Sequence, residues 1–282
     1  MNSVNDVAPV SVIIPCFRCA STIGRAMDSV LRQSYLPAEV ILVDDASGDG
    51  TLNILIAYRD QYPNLVKVIS LTENVGAGSA RNMGWRVATE PYIAFLDADD
   101  SWHTDKIQIQ CSHMICNPET VLCGHQWVFV DADSEAADLP KEWARTQINP
   151  SYSLFKNPFA TSTIMLTRDT SFRFEQGMRS AEDLLLWLRI AFAGLRTVRL
   201  ELPLGCVYKP LYGSGGLSGN LWKMEKGELS CLATLYREAS ISRSLFCISV
   251  LFSILKFFKR VLQVHIMRQL KVFNINGSVE QC

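Results

Sequence analysis

Val40-Ile41-Leu42-Val43 runs into Asp44-Asp45-Ala46-Ser47-Gly48-Asp49-Gly50, and Tyr92-Ile93-Ala94-Phe95-Leu96 runs into Asp97-Ala98-Asp99-Asp100. Each is an uncharged, mostly apolar run that ends in clustered carboxylates. Runs this apolar read as strands buried on both faces of a parallel sheet. Neighbouring carboxylates repel one another and cost folding energy unless a cation or hydrogen-bond donors offset them. Ligands of open α/β sheets bind beyond the carboxyl ends of the strands. The two acidic runs therefore point to a ligand at that edge, and a metal-bound diphosphate is the chemistry they suit.

Around these runs the first third of the chain alternates strand and helix. Val10 to Ile14 reads as a strand ended by Pro15, and Thr22 to Gln33 carries helical periodicity in Ile23, Ala26, Met27, Val30 and Leu31. Glu39 to Val43 is a strand, Thr51 to Tyr62 a helix, Leu65 to Ile69 a strand, Ala77 to Ala88 a helix and Pro91 to Leu96 a strand. That is the pattern of an α/β protein with helices on both faces of a parallel sheet. Further on, Asp105 to Cys116 and Glu182 to Ala193 read as helices, and Val121 to Val130 and Ser162 to Thr167 as strands. Asp131 to Ser153 reads as a polar surface excursion, and Pro210 to Gly219 as a glycine-rich loop.

From Leu221 onward the chain reads as helical. Ser244 to Leu255 is uncharged and apolar, too short for the roughly 20 residues a bilayer span needs. Lys256, Lys259, Arg260, Arg268 and Lys271 follow, interleaved with Phe257, Phe258, Val261, Leu262 and Ile266. This is the pattern of an interfacial helix on anionic lipid; packing on protein is the alternative.

The 282 residues are enough to bury a full core. A net charge of -1 argues against a general nucleic-acid binder. Nine scattered cysteines and the absence of a signal-like start suggest reduced thiols in the cytoplasm. Cys16 and Cys19 have half-site spacing, but no second pair completes a zinc set.

Four elements carry chemistry. Asp97 and Asp99 suit hard-oxygen coordination of Mg²⁺ or Mn²⁺. Asp45 can accept from ring N–H groups or sugar hydroxyls; unlike Ser47 and Asp49, which also suit a turn and a helix start, it has no evident capping job. Gly76-Ala77-Gly78-Ser79-Ala80-Arg81-Asn82 offers free N–H groups and a guanidinium to a phosphate. Ser180-Ala181-Glu182-Asp183 opens an apolar helix, where an ionised Asp183 can take a proton from an alcohol or simply cap the helix.

In this order the strand ending at Pro15, then VDDASGDGT, GAGSARN, FLDADD and AEDLLLWLR resemble a family 2 glycosyltransferase of the bacterial surface-polysaccharide type. The resemblance spans about Val10 to Tyr212. It implies an inverting enzyme with the GT-A fold: a Rossmann-like, mostly parallel central sheet flanked by helices. Residues 1–100 would form the nucleotide-sugar-binding half, 101–215 the acceptor-binding half, and 216–282 a C-terminal helical tail.

By the same resemblance, Asp183 matches the catalytic base and Glu182 its neighbour. Asp45 matches the position that contacts the base of the nucleotide. Pro15 and Phe17 lie beside the nucleoside, Arg81 and Asn82 near the diphosphate, and Lys209 is a further candidate there. Asp97, Ala98 and Asp99 match the D-x-D, with Asp99 and Asp97 as ligands of Mn²⁺ or Mg²⁺. The family usually has an aromatic residue followed by Asn where this chain has Phe17-Arg18, so Arg18 is a candidate phosphate or acceptor contact and donor preference stays open. The Q-x-x-R-W motif of processive members is absent, which implies transfer of one sugar.

The implied reaction moves one sugar from a nucleotide-sugar, a UDP-sugar by the family's habit, to a glycan or lipid-linked hydroxyl. The implied location is the cytoplasm, at the cytoplasmic face of the cell membrane. The competing reading is a catalytically silent nucleotide-binding scaffold of a membrane glycan-assembly complex.

Overall fold

A computed structural model describes residues 7–130, 139–208 and 220–277. The chain opens with β1 (Ala8–Cys16), α1 (Ile23–Leu31), β2 (Pro37–Asp44), α2 (Thr51–Gln61), β3 (Val66–Ser70), α3 (Ala77–Val87) and β4 (Tyr92–Phe95). β3, β2, β1 and β4 lie side by side in that order, all parallel. The alternation along β1 and β2 fills both faces. Val10, Val12, Ile14, Val40 and Leu42 pack with α1 and α2 on one side. Ile13, Ile41 and Val43 pack with Trp85 of α3 on the other.

β1 does not stop before Pro15. It runs on to Cys16, with Pro15 in register with Val43 of β2. The ladder to β4 ends at Ile13 opposite Phe95. Pro15 therefore stands where one neighbour has run out, and its missing N–H costs no sheet hydrogen bond there.

The second half adds β5 (Ser101–Trp102), α4 (Lys106–Cys116), β6 (Thr120–Phe129), β7 (Arg145–Gln147), α5 (Pro150–Ser153), a 3-10 turn (Thr161–Thr163), β8 (Met165–Thr167), α6 (Glu182–Phe192) and β9 (Arg196–Val207). β8 joins β4 antiparallel and β6 joins β8 antiparallel. β9 runs parallel to β6, while β5 and β7 add to β9 antiparallel. The parallel half thus carries the strand-end acidic runs, and a mixed half extends it. β5, β7 and β9 are absent from the sequence reading. The part of the expected surface excursion that is described, residues 139–153, contains β7 and α5. Lys209 and the glycine-rich stretch Tyr212 to Ser218 lie outside the described residues.

A polar cluster fixes the edge of the sheet opposite the acidic runs. Glu39 of β2 accepts from Ser11 Oγ (2.6 Å), Thr89 N (2.6 Å) and Lys67 Nζ (2.5 Å). Burial raises a carboxyl pKa, but Lys67, Ser11 and Thr89 together outweigh it and bring Glu39 down to about 2. A lowered pKa stabilises the fold above the ordinary carboxylate range, and this is lost as pH falls toward 2. Lys67 is half-exposed, which screens the pair. Glu39→Gln is expected to cost about 2 kcal/mol at neutral pH. Urea midpoints of both proteins should converge as pH falls from about 5 toward about 2; a gap that ignores pH would refute the charge as its source.

The described residues from Asn220 onward belong to a second compact unit. It contains α7 (Leu221–Arg237) and α8 (Arg243–Gly277). Of the cations expected on the outer face of the tail, Lys259 is exposed, whereas two others turn inward. Lys256 and Arg260 turn onto Glu228 of α7, and Ser253 Oγ donates to Glu225 (2.9 Å). Two carboxylates on α7 draw the polar side of α8 inward. Ile248, Leu251, Leu255, Phe258 and Leu262 are left exposed in one stripe. Arg268 and Lys271 lie beyond the described side chains. Among the described residues no helix is long and apolar enough to cross a membrane.

Candidate active site

The site assembles where β1, β2 and β4 end. After β4 the loop Asp97–Asp100 closes a tight turn, Asp100 N donating to the Asp97 carbonyl (3.1 Å). Arg81, one turn into α3, reaches this loop. Its guanidinium donates to Asp97 Oδ1 (2.5 Å) and lies 3.7 Å from Glu182 Oε1 at the start of α6. Arg81 is 4% exposed. Burial opposes its charge, but Asp97 and Glu182 outweigh that and raise its pKa. Arg81 thus joins the acidic loop to the start of α6 as a shared counter-ion.

Glycines allow that junction. Gly76, the residue before α3, has φ +89, a conformation open to glycine at low cost. A Cβ on Gly78 would stand 2.8 Å from Glu182 Cγ. Any side chain there would push α3 and α6 apart and stretch the Arg81 contacts.

Asp183 is the second residue of α6. Its Oδ1 accepts from Leu184 N (2.7 Å), and its Oδ2 lies 3.4 Å from the Thr161 hydroxyl. Burial raises its pKa, as does the charge of Asp97, against the Leu184 N–H and Arg81, which lower it. Glu182 is raised by burial and by Asp183. The base candidate thus takes up a proton at higher pH than an ordinary carboxylate, which suits a general base working near neutrality. Ala181, just before the helix, has φ +59. A non-glycine residue in this region stores roughly 1 kcal/mol or more of strain.

Asp45 does have a local task, contrary to the sequence reading. Its two carboxylate oxygens accept from Val75 N (2.7 Å) and Gly76 N (2.9 Å). It lashes the entry of α3 to the end of β2. Arg18 sits at φ +50 and binds Ser47 by its N–H (3.1 Å) and Nε (3.3 Å). Asp49 accepts from Thr51 N at the start of α2, as expected (2.8 Å). Asn82 and Phe174 exchange two hydrogen bonds, so Asn82 braces the loop before α6. Pro15 is half-buried and Phe17 exposed beside this edge, and Ala98 is buried in the acidic turn.

Four residues escaped the sequence reading. Arg25 of α1 donates to the Asp99 carbonyl (2.7 Å) and stacks on Tyr208. Arg179 grips Asn74 through its side chain and carbonyl (2.7 and 2.6 Å). Ser162 and Thr161 contact the acidic loop and Asp183. A lone Arg on an amphipathic helix, or a Thr-Ser-Thr run, carries no local signal of such long-range contacts.

The donor set fits a hard divalent cation. Asp97, Asp99 and Asp100 crowd one turn, and Asp100 is pushed up to about 8 by burial and then by the charge of Asp97, with Asp99 adding. Repulsion of this kind is what a bound cation relieves. Among the described residues no group of three or more His, Cys, Asp or Glu forms a complete protein cage. Two carboxylates that share an ion with a diphosphate need no such cage.

Comparison with known proteins gives the class to which this fold belongs. Residues 11–174 match the model of glycosyl transferase family 2. This chain belongs to that family and is a glycosyltransferase. The Escherichia coli UDP-Glc:α-D-GlcNAc-diphosphoundecaprenol β-1,3-glucosyltransferase WfaP is 31% identical over 195 residues, covering 68% of this chain and 74% of that one. The E. coli protein WfgD, whose name gives the same glucosyltransferase activity, is 29% identical over 181 residues, 64% of this chain and 69% of that one. The crystal structure of Staphylococcus aureus TarS 1-349 in complex with UDP-GlcNAc superposes with TM-score 0.64. It is 20% identical and covers 86% of this chain and 70% of that one, a likeness of fold.

Proposed function

We propose that this chain transfers a single sugar from a UDP-sugar to a hydroxyl of a lipid-linked glycan, with inversion at the anomeric carbon. The observation that carries the reading is Arg81. Buried between Asp97 and Glu182, it holds the acidic donor loop and the base-bearing helix on one strand-end face. The named activities of WfaP and WfgD support the donor and acceptor classes.

Asp183 takes the proton of the acceptor hydroxyl. The oxygen attacks the anomeric carbon as the bond to the diphosphate breaks on the opposite face. Asp97 and Asp99 would hold Mn²⁺ or Mg²⁺, which when bound neutralises charge on the departing diphosphate. Asp45 and the backbone around Gly76 line the nucleoside side, and Arg179 brings a further cation to that loop. Absence of the processive motif supports one transfer per encounter.

A panel of UDP-, GDP- and dTDP-sugars tests the reading by thermal shift, with Mn²⁺ and with chelator. A UDP-sugar at 100 times its dissociation constant is expected to add about 2.7 kcal/mol, and chelator to remove most of it. Equal stabilisation by every nucleotide, or none by UDP-sugars, would reject it.

The exposed stripe on α8 supports a place on the cytoplasmic face of the membrane. With Lys256 and Arg260 turned inward, hydrocarbon burial rather than charge supplies the attraction. Co-sedimentation with phosphatidylglycerol vesicles is expected to persist at about 0.5 M salt, where charges are screened within a few Å. A chain cut after Arg243 should stay in the supernatant; if it pellets, α8 is not the anchor.

A further inference from the structure

One short turn touches both halves of the site. Ser162, 4% exposed, grips the acidic loop at two points and the strand after it at a third. Its Oγ accepts from Asp97 N (3.1 Å) and donates to Asp100 Oδ2 (2.6 Å). Its carbonyl accepts from the Trp102 indole N–H (2.6 Å). The next residue back, Thr161, places its hydroxyl at Asp183 Oδ2. The next residue on, Thr163, gives its carbonyl to Gln110 Nε2 (2.9 Å), which also holds the Cys123 carbonyl (2.9 Å). The turn is thus bolted to α4 and β6 while its two hydroxyls face the donor loop and the base.

We propose that Ser162 and Thr161 are positioning residues that fix the spacing between the acidic donor loop and the proton-accepting carboxylate. The inference rests on the role proposed for Asp183. A hydroxyl has one proton to give. Ser162 gives it to Asp100, the most buried carboxylate of a mutually repelling set, and takes the Asp97 N–H in return. Without that hydroxyl the repulsion within the loop meets no internal donor from this turn. The loop then opens away from the core. A shift of about 1 Å in a reacting group can cost roughly 100-fold in rate.

Thr161 acts differently, by donating to the carboxylate that must stay ionised. Among the described residues, the charges that face Asp183 are Arg81 from α3, Asp97 from the acidic loop and Glu182 on its own helix. Loss of the Thr161 donor leaves that balance tilted toward the protonated form.

The full chain decides the matter. Ser162→Ala is expected to weaken UDP binding in calorimetry by about tenfold and to speed amide hydrogen exchange at Asp97 in the ligand-free protein. Its pH profile should keep the wild-type acid limb. Thr161→Val is expected to lower kcat about tenfold and move the acid limb to higher pH, with KM for the donor unchanged. Thr161→Ser, which keeps the hydroxyl, restores both.

Wild-type UDP affinity and Asp97 exchange in Ser162→Ala would overturn the role of Ser162. An unmoved limb in Thr161→Val would overturn that of Thr161. Wild-type transfer by Asp183→Asn would instead refute the base reading, and Ser162 would still be judged by binding and exchange.

Discussion

Asp183→Asn is expected to lower kcat by 10²–10⁴-fold while UDP affinity stays within about twofold, since a general base contributes in that range and does not touch the nucleotide. Asn is nearly isosteric. Its side-chain oxygen can keep the Leu184 N–H that Asp183 Oδ1 accepts at 2.7 Å. What it loses is the ability to take a proton. Stability should not fall. Burial raises the pKa of Asp183, so keeping it ionised costs more in the folded state than in the unfolded one. Removing the charge relieves that burden, and the melting temperature should hold or rise slightly. Lost transfer with retained binding and stability is a signature that a damaged fold cannot imitate. Transfer at the wild-type rate would remove Asp183 from the mechanism.

Arg81→Met should damage stability most. It leaves Glu182, whose side chain is 9% accessible, and the partly exposed Asp97 without their shared cation. Breaking a buried pair from one side costs roughly 3–5 kcal/mol. The lower end applies here because water reaches Asp97, which predicts a melting temperature lower by about 10 °C. The loss should shrink as pH falls. Glu182 already takes up a proton at higher pH than usual because of burial and the charge of Asp183. Once protonated it needs no counter-ion. Urea midpoints at about pH 5 and pH 7.5 would show this. A variant as stable as wild type at both would mean that water, not Arg81, solvates these carboxylates.

Much of this site was legible because its carriers are local. An apolar run that ends in acids marks a strand end, and β2 and β4 stop within one residue of where the sequence places them. The 3.6-residue stripe of α1 and the glycine entry to α3 were equally plain. β9 was legible and missed: Val198, Leu200, Leu202, Leu204 and Cys206 are all buried, and the period of two stands in the sequence. Pro203 and the charges between them hid it. β5 and β7 are two and three residues long and exist because β9 offers them an edge. Ser162 could not be found this way, since its partners lie 62 and 65 positions away. The partners of the tail's cations were hidden for a related reason. Lys256 and Arg260 meet Glu228 of the preceding helix, which spacing within the tail does not show.

The clamp that Asp45 makes on Val75 and Gly76 has a thermodynamic consequence. A loop that must freeze around its ligand gives up about 1–2 kcal/mol of backbone entropy for each residue that becomes ordered. Here the loop between β3 and α3 is already tied down at Asn74, Val75 and Gly76 before any nucleotide arrives. Association at this end of the cleft should then carry little heat-capacity change from folding, and calorimetry would register a lock-like encounter.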